Sequence, residues 1–468
     1  MEEYQGLEAT TAEALNGVWY ERYKKQHMNI KANTKIKKPK FNPIMWNSIM
    51  SKVLTRRALY EVYTEGGLKV LVAAAQGATQ EAERVFDIGK SKESDLVLLS
   101  SLKVQGDGIE QRIHKQTIYL LSQVKMTDLE KEVLKLLLSK VINCLDSTIY
   151  AKMAELFSRG QLNYLIGKKQ DFAGMDLMTF TTFNTLLNKD WDTVDNLLIE
   201  IQTQKLKLTK EKERTSDSYK LLHVLENLVE YFDIEINPTA SETTYYRRFA
   251  LILDFVFKGL EVEMKDSEAV AEATKMAMEQ NSYDDTNSFG RKIDVLINVK
   301  DTSTALNSNE WKAVKTNHFK LKQQSKNIRS NCAILNNLYI LTSGQVSSIM
   351  ALDMIGKIGY LYLLCFKKNV YTATLVDAIL LPTNMTELKA FKNSLNTLIK
   401  WRNFMREQIK TIKTSTTVKD LSSAAHDIYG EEQGYNEEDN TVLPTIFFTP
   451  KNKRAQKRAY AEIDNHDD

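Results

Sequence analysis

The sequence predicts a multidomain protein: a mainly α-helical N-terminal region, then a C-terminal α/β sandwich with a mixed sheet. Three observations carry this. Apolar residues recur at helical spacing from about residue 41 to 238. With only 6 prolines and 18 glycines in 468 residues, long helices and few tight turns are expected. Past Pro238 the pattern becomes helix, strands, helix, strands, helix, the order of an α/β sandwich.

Residues 1–40 read as a basic, partly disordered arm. A short helix around Thr11 to Tyr23 precedes Lys31, Lys35, Lys37, Lys38 and Lys40, which are either simply solvated or a phosphate-contacting patch. Residues 41–238 form the helical domain. Pro43 suits the first turn of a helix through Trp46, Ile49, Val53 and Leu54, and Gly66-Gly67 breaks it. An alanine-rich helix spans Val70 to Val85. Leu129 to Leu145 carries a helical stripe, and Tyr150 to Phe157, Trp191 to Leu206 and Tyr219 to Phe232 repeat the type. Gly89-Lys90-Ser91 imitates the end of a phosphate-binding loop, but Arg84 stands where that motif needs glycine. Lys205 to Lys220 mixes both signs of charge and reads as a solvated helix or linker.

Pro238 marks the join to residues 239–412. Ser241-Glu242-Thr243-Thr244 caps a helix containing Tyr245, Phe249, Ile252, Leu253 and Val256. A second helix is expected from about Ser267 to Glu279, then a polar loop. Arg291 to Val299 reads as a strand, with Ile293, Val295, Ile297 and Val299 on one side. Asp294 lies inside it. A carboxylate among apolar neighbours is costly unless paired, hydrogen-bonded or bound to metal. Downstream comes Glu310-Trp311-Lys312, where an extended chain points Glu310 and Lys312 one way and Trp311 the other. Other Glu-x-Lys triplets, at Glu263-Met264-Lys265 and Glu387-Leu388-Lys389, read as helix or loop. Phe319 to Leu338 is the next helix. Val346 to Leu352, Ile358 to Phe366 and Asn369 to Ile379 read as a strand meander, and Glu387 to Met405 as a final helix. Residues 413–468 read as a disordered tail with an apolar island at Val442 to Phe448. Its basic cluster of Lys451, Lys453, Arg454, Lys457 and Arg458 resembles a nuclear localisation signal.

Two carboxylates and a lysine on adjacent strands suit Mg²⁺-assisted phosphodiester cleavage. The acids hold a hard cation, and the ammonium positions water or stabilises charge. The pattern resembles the PD-(D/E)XK, or restriction-endonuclease-like, superfamily. That family places an Asp on one strand, Glu-x-Lys on the next and a helix behind. Ile293, not proline, precedes Asp294 here. The resemblance implies Asp294, Glu310 and Lys312 as catalytic residues, with Asp294 and Glu310 on Mg²⁺. It implies support from a first-helix acid, Glu242 or Asp254, and from Gln323 on the helix behind. Lys320, Lys326 and Arg329 on that helix form either a face that contacts the phosphates of DNA or another nucleic acid or a simply solvated face. Such folds also persist as binding modules, so a non-catalytic interaction protein is the alternative. Gly290 to Leu296, Asn307 to Lys312 and Gln324 to Arg329 are also similar to a family abundant in Mucorales-type fungi, which implies no activity of its own.

Composition bounds these expectations. A net charge of +3 excludes a uniformly basic nucleic-acid coat. Three scattered cysteines argue against a disulfide framework and for a reducing compartment. No apolar run approaches the roughly 18 residues of a membrane helix. A nuclear or cytoplasmic protein is therefore expected, with the helical domain available to protein partners.

Overall fold

A computed structural model describes residues 108–121, 123, 126–168, 170–232, 242–280, 292–313, 317–429 and 443–448. The expected N-terminal arm, the helices before residue 108 and the basic cluster at 451–458 lie outside these residues.

The described chain begins with helices α1 (Ile109–Leu121) and α2 (Asp128–Leu138). Strand β1 (Val141–Asn143) follows. Then come α3 (Ser147–Ala154), α4 (Arg159–Ile166), α5 (Leu177–Asn188), α6 (Val194–Lys210) and α7 (Asp217–Glu230). Local chemistry sets these starts. Thr127, Asp146, Ser158, Asp176, Thr193 and Ser216 each accept a backbone N–H of the following first turn. Thr127 with Glu130 and Ser158 with Gln161 complete reciprocal capping boxes. Each cap is worth about 1 kcal/mol.

Helix α8 (Glu242–Val256) opens the second half. It is followed by β2 (Val262–Val270), α9 (Glu272–Gln280), β3 (Lys292–Val299), β4 (Ala305–Lys312) and α10 (Asn317–Leu341). Strands β5 (Ser348–Ile355), β6 (Ile358–Lys367) and β7 (Val370–Leu380) lead to α11 (Met385–Tyr429). The strands form one mixed seven-stranded sheet in the order β1-β7-β6-β5-β4-β3-β2. Strands β2, β3 and β4 pair antiparallel, β4 and β5 pair parallel, and β5, β6 and β7 form an antiparallel meander. Helix α10 is the crossover that the parallel β4–β5 pair requires, and it lies on β4 and β5. Helices α8 and α11 cover the other face. Trp311 packs edge-on to Tyr246 of α8 at 5.4 Å and beside Phe249 at 5.7 Å.

Four elements differ from expectation. The stripe from Leu129 to Leu145 is not one helix. Lys140 adopts a left-handed φ of 52°, α2 stops, and Val141 to Asn143 pair in parallel with Tyr371 to Ala373 of β7. The helical region thus contributes a strand to the sheet, and one apolar cluster runs from Ile113 to Phe448. The second helix begins at Glu272, not Ser267, because Val262 to Val270 is an edge strand. Glu263-Met264-Lys265 is therefore extended: Glu263 and Lys265 are exposed while Val262 and Met264 are half-buried, the alternation of a one-sided strand. The final helix continues past Met405 to Tyr429, because Ile409 and Ile412 keep the helical spacing and stay buried. Finally, the tail is not wholly unstructured. Leu443, Ile446, Phe447 and Phe448 are buried against the core. The Ser139 hydroxyl accepts from the Phe447 N–H at 3.0 Å, and Asn336 donates to Pro444 O at 3.0 Å.

Candidate active site

The site is a row of acids on the sheet face beneath α10. In the β3–β4 ladder Val295 pairs with Asn309. One residue further, the register sets Asp294 opposite Glu310. In the β4–β5 ladder Glu310 pairs with Asp353. Residues paired across strands share a face, with Cβ atoms about 5 Å apart. Asp294, Glu310 and Asp353 therefore run side by side over three neighbouring strands. The next strand continues the row with Tyr360, which pairs with Asp353.

One end of the row is open and the other closed. The Asp294 side chain is 37% exposed, whereas Glu310 is 0% and Asp353 2% exposed. Asp294 escapes the penalty of an apolar strand through its partners. Its Oδ2 accepts the Trp311 backbone N–H at 2.7 Å and lies 3.7 Å from Lys312 Nζ. Lys312 also donates to Trp311 O at 2.8 Å. Glu310 Oε1 accepts from Lys326 Nζ at 2.7 Å, and that ammonium donates to Lys292 O at 3.2 Å. Burial is the main cause that pushes the Glu310 carboxyl up to about 7; Asp294 adds to it, and Lys326 and Lys312 oppose it.

Asp353 is held from above and beside. Gln323 donates to Asp353 Oδ1 and to Met354 O. Tyr360 OH donates to Oδ2 at 3.0 Å, Gln324 donates to Tyr360 OH at 2.8 Å, and Asn143 of β1 donates to Gln324 Oε1 at 2.6 Å. Burial first, then the Glu310 charge, pushes Asp353 up to about 8. Gly359, opposite Met354, completes the setting. A Cβ there would lie 2.5 Å from Asp353 O and 2.1 Å from Met354 Sδ, so glycine is required by close approach.

The structure thus brings Asp294, Glu310 and Lys312 together, with Trp311 on the opposite face as the alternation predicts. Gln323 reaches the row, but at Asp353. Lys326 is bound to Glu310. Lys320 is exposed on α10. Arg329 does not face solvent: it is 3% exposed and donates to Phe447 O at 2.6 Å, so it anchors the C-terminal segment and is corrected from a phosphate contact to a structural one. Glu242 opens α8, one helical turn before Tyr246. Asp254 is exposed near the other end of α8, its carboxyl raised by burial and then by Asp266. Sequence reasoning missed Asp353. Its signal was the one that singled out Asp294, an acid inside the apolar run Met350-Ala-Leu-Asp-Met-Ile355.

The donor set fits a hard cation in kind. Carboxylate oxygens suit Mg²⁺, which keeps several waters and needs few protein ligands. Glu310 Oε2 is buried without a hydrogen-bond partner. The acids are strung out along the sheet, and among the described residues no three His, Cys, Asp or Glu side chains converge on one point. Water would supply the remaining ligands of a cation between two of them. No helix among the described residues is long and apolar enough to cross a membrane. Comparison with family models, curated proteins and solved structures finds no match to this chain.

Proposed function

We propose that this chain is a nucleic-acid-binding protein with a PD-(D/E)XK-like domain that hydrolyses phosphodiester bonds in DNA with Mg²⁺. The observation that carries this reading is the placement of Asp294 opposite Glu310 on paired strands, with Lys312 3.7 Å from Asp294 and α10 behind them. Asp294 and Glu310 hold the cation. When bound, Mg²⁺ supplies Lewis-acid polarisation of a phosphoryl oxygen and a more acidic water. Lys312, on the open side of the row, orients the attacking water or neutralises charge that develops on the phosphate. Lys320 contributes a phosphate contact that positions the strand without reading its bases. Nuclear import through the cluster at Lys451 to Arg458 belongs to the same proposal.

The second reading is a non-catalytic interaction protein built on the same fold. It is favoured by one observation: Glu310 is fully buried and already paired with Lys326. Incubation with single- and double-stranded DNA in Mg²⁺ or Mn²⁺ separates the two. Under the catalytic reading, Asp294→Ala and Glu310→Ala abolish cleavage while binding persists and weakens with salt. A wild-type protein that binds DNA without metal-dependent cleavage leaves the interaction protein as the function.

A further inference from the structure

The closed end of the acid row has features that the cleavage reading does not use. Glu310 Oε1 is engaged by Lys326, whose other bond goes to Lys292 O on β3. The strand on the far side, β5, carries Asp353 in register with Glu310. Two acceptor oxygens in this region are buried and unpartnered: Glu310 Oε2 and Gln323 Oε1. Glu310 is 0% and Gln323 4% exposed. The Gln323 amide is fixed at Asp353, because its nitrogen donates both to Asp353 Oδ1 and to Met354 O. Met354 O is an acceptor always, and Asp353 is one when ionised, the form that binds a cation. Turning the amide over would place oxygen against oxygen, so Oε1 is the atom left without a bond.

Buried acceptors without donors are costly, and more so when charged. Three carboxylates are faced by the ammonium groups of Lys312 and Lys326. Two buried acceptor oxygens beside three carboxyl groups call for a positive group or a proton. A cation bound by oxygen answers all of these features together.

We propose that Glu310, Asp353 and the Gln323 side-chain oxygen form a buried site for a small, hard divalent cation, separate from the cation placed between Asp294 and Glu310. Two carboxylates and a neutral amide oxygen are ligands of the kind that Mg²⁺, Mn²⁺ and Ca²⁺ take. Glu310 lies between the two sites and would serve both. Tyr360 and Gln324 orient Asp353 from outside the ligand set, as partners of a ligating carboxylate do. The inference extends the proposed metal chemistry but stands on its own atoms.

The test counts bound Mn²⁺ by electron paramagnetic resonance on the full chain, measuring free ion against total. The wild type is expected to bind two ions. Asp353→Asn, which keeps shape and lowers charge, is expected to lose one. Gln323→Met, similar in length but without the oxygen, is expected to weaken the same ion by about tenfold or more. Asp294→Asn is expected to lose the other ion and keep this one. If the Asp294 site fails, the wild type binds one ion that Asp353→Asn abolishes and Asp294→Asn spares. The proposal is overturned if folded Asp353→Asn and Gln323→Met, verified by circular dichroism, bind as many ions as the wild type with unchanged affinity. It is also overturned if the wild type binds none; the paired oxygens then hold a proton or water instead.

Discussion

Replacing Asp353 by Asn removes a carboxyl that the fold keeps protonated into the neutral range. Burial under α10, then the Glu310 charge, raises it to about 8 from an ordinary 3.8. Between those values the native state carries a proton that the unfolded chain has released. The unfolded state binds fewer protons there, so stability falls as pH rises. The contribution is fully present below about pH 4 and is lost as pH rises through about 8. Each tenfold change in the proton equilibrium is worth ~1.4 kcal/mol, so the ceiling on the loss is roughly 6 kcal/mol. Water entering from the open Asp294 end lowers that figure. Glu310, raised to about 7, acts in the same direction and stays in the variant. The assay is urea unfolding in EDTA at about pH 5, 6, 7 and 8, comparing midpoints at constant m. The wild type should lose stability steadily across the series. Asp353→Asn should lose less and gain on the wild type by several kcal/mol at the alkaline end. Parallel curves for the two proteins would refute the reasoning, because the Asp353 carboxyl would then have ionised throughout.

Three further outcomes follow from the geometry. Lys312→Ala should slow metal-dependent cleavage by about 10²–10³-fold, the usual effect of losing one charge-stabilising donor, with bound Mn²⁺ unchanged; an equal rate would remove Lys312 from the chemistry. Phe447→Ala empties a buried site in the core and should cost about 3–5 kcal/mol in chemical unfolding, and a wild-type midpoint would mean that the C-terminal segment does not belong to the core. Changing Lys453, Arg454, Lys457 and Arg458 to Ala together should abolish nuclear enrichment of a fluorescently tagged chain, which imaging reads directly; an unchanged distribution would reduce the cluster to a merely basic tail.

What was legible in the sequence depended on whether local pattern and tertiary pairing agreed. Strand β3 announced itself by period-two alternation, and the Glu310 strand followed from the acid it faces. The meander from β5 to β7 was read from turns at Gly356 to Gly359 and Lys367-Lys368; the chain turns at Gly356 and at Lys368-Asn369, all three at positive φ. Strand β1 was hidden because its three residues prolong the apolar stripe of α2, and only β7 tells them to extend. Strand β2 was obscured by charge: Glu263, Lys265 and Asp266 occupy an edge where one face meets water. The buried segment at 443–448 lay in so polar a neighbourhood that composition outweighed four apolar side chains. Asp294, Glu310 and Lys312 were legible as types at a spacing. The role of α10 was read only in part, because Lys326 and Arg329 look alike in sequence. One reaches an acid on the sheet, and the other, three residues on, turns to a carbonyl from the chain's far end.

That last contact has a consequence for how the protein is made. The hydrogen bond from Phe447 to Ser139 joins residues 308 positions apart, and the one from Arg329 to Phe447 O joins residues 118 apart. Chains emerge from the ribosome N-terminus first at about 5–20 residues per second. Helix α10 is therefore translated roughly ten seconds before the segment whose Phe447 carbonyl its Arg329 binds. During that interval Ser139 lacks the Phe447 N–H, and the core surface that Leu443, Ile446, Phe447 and Phe448 pack against is uncovered. The nascent sheet can assemble, but its last seam closes only after synthesis has passed Phe448. A ribosome stalled within α11 would hold a chain whose seven strands have all been made while residues 443–448, which pack on the same core, have not.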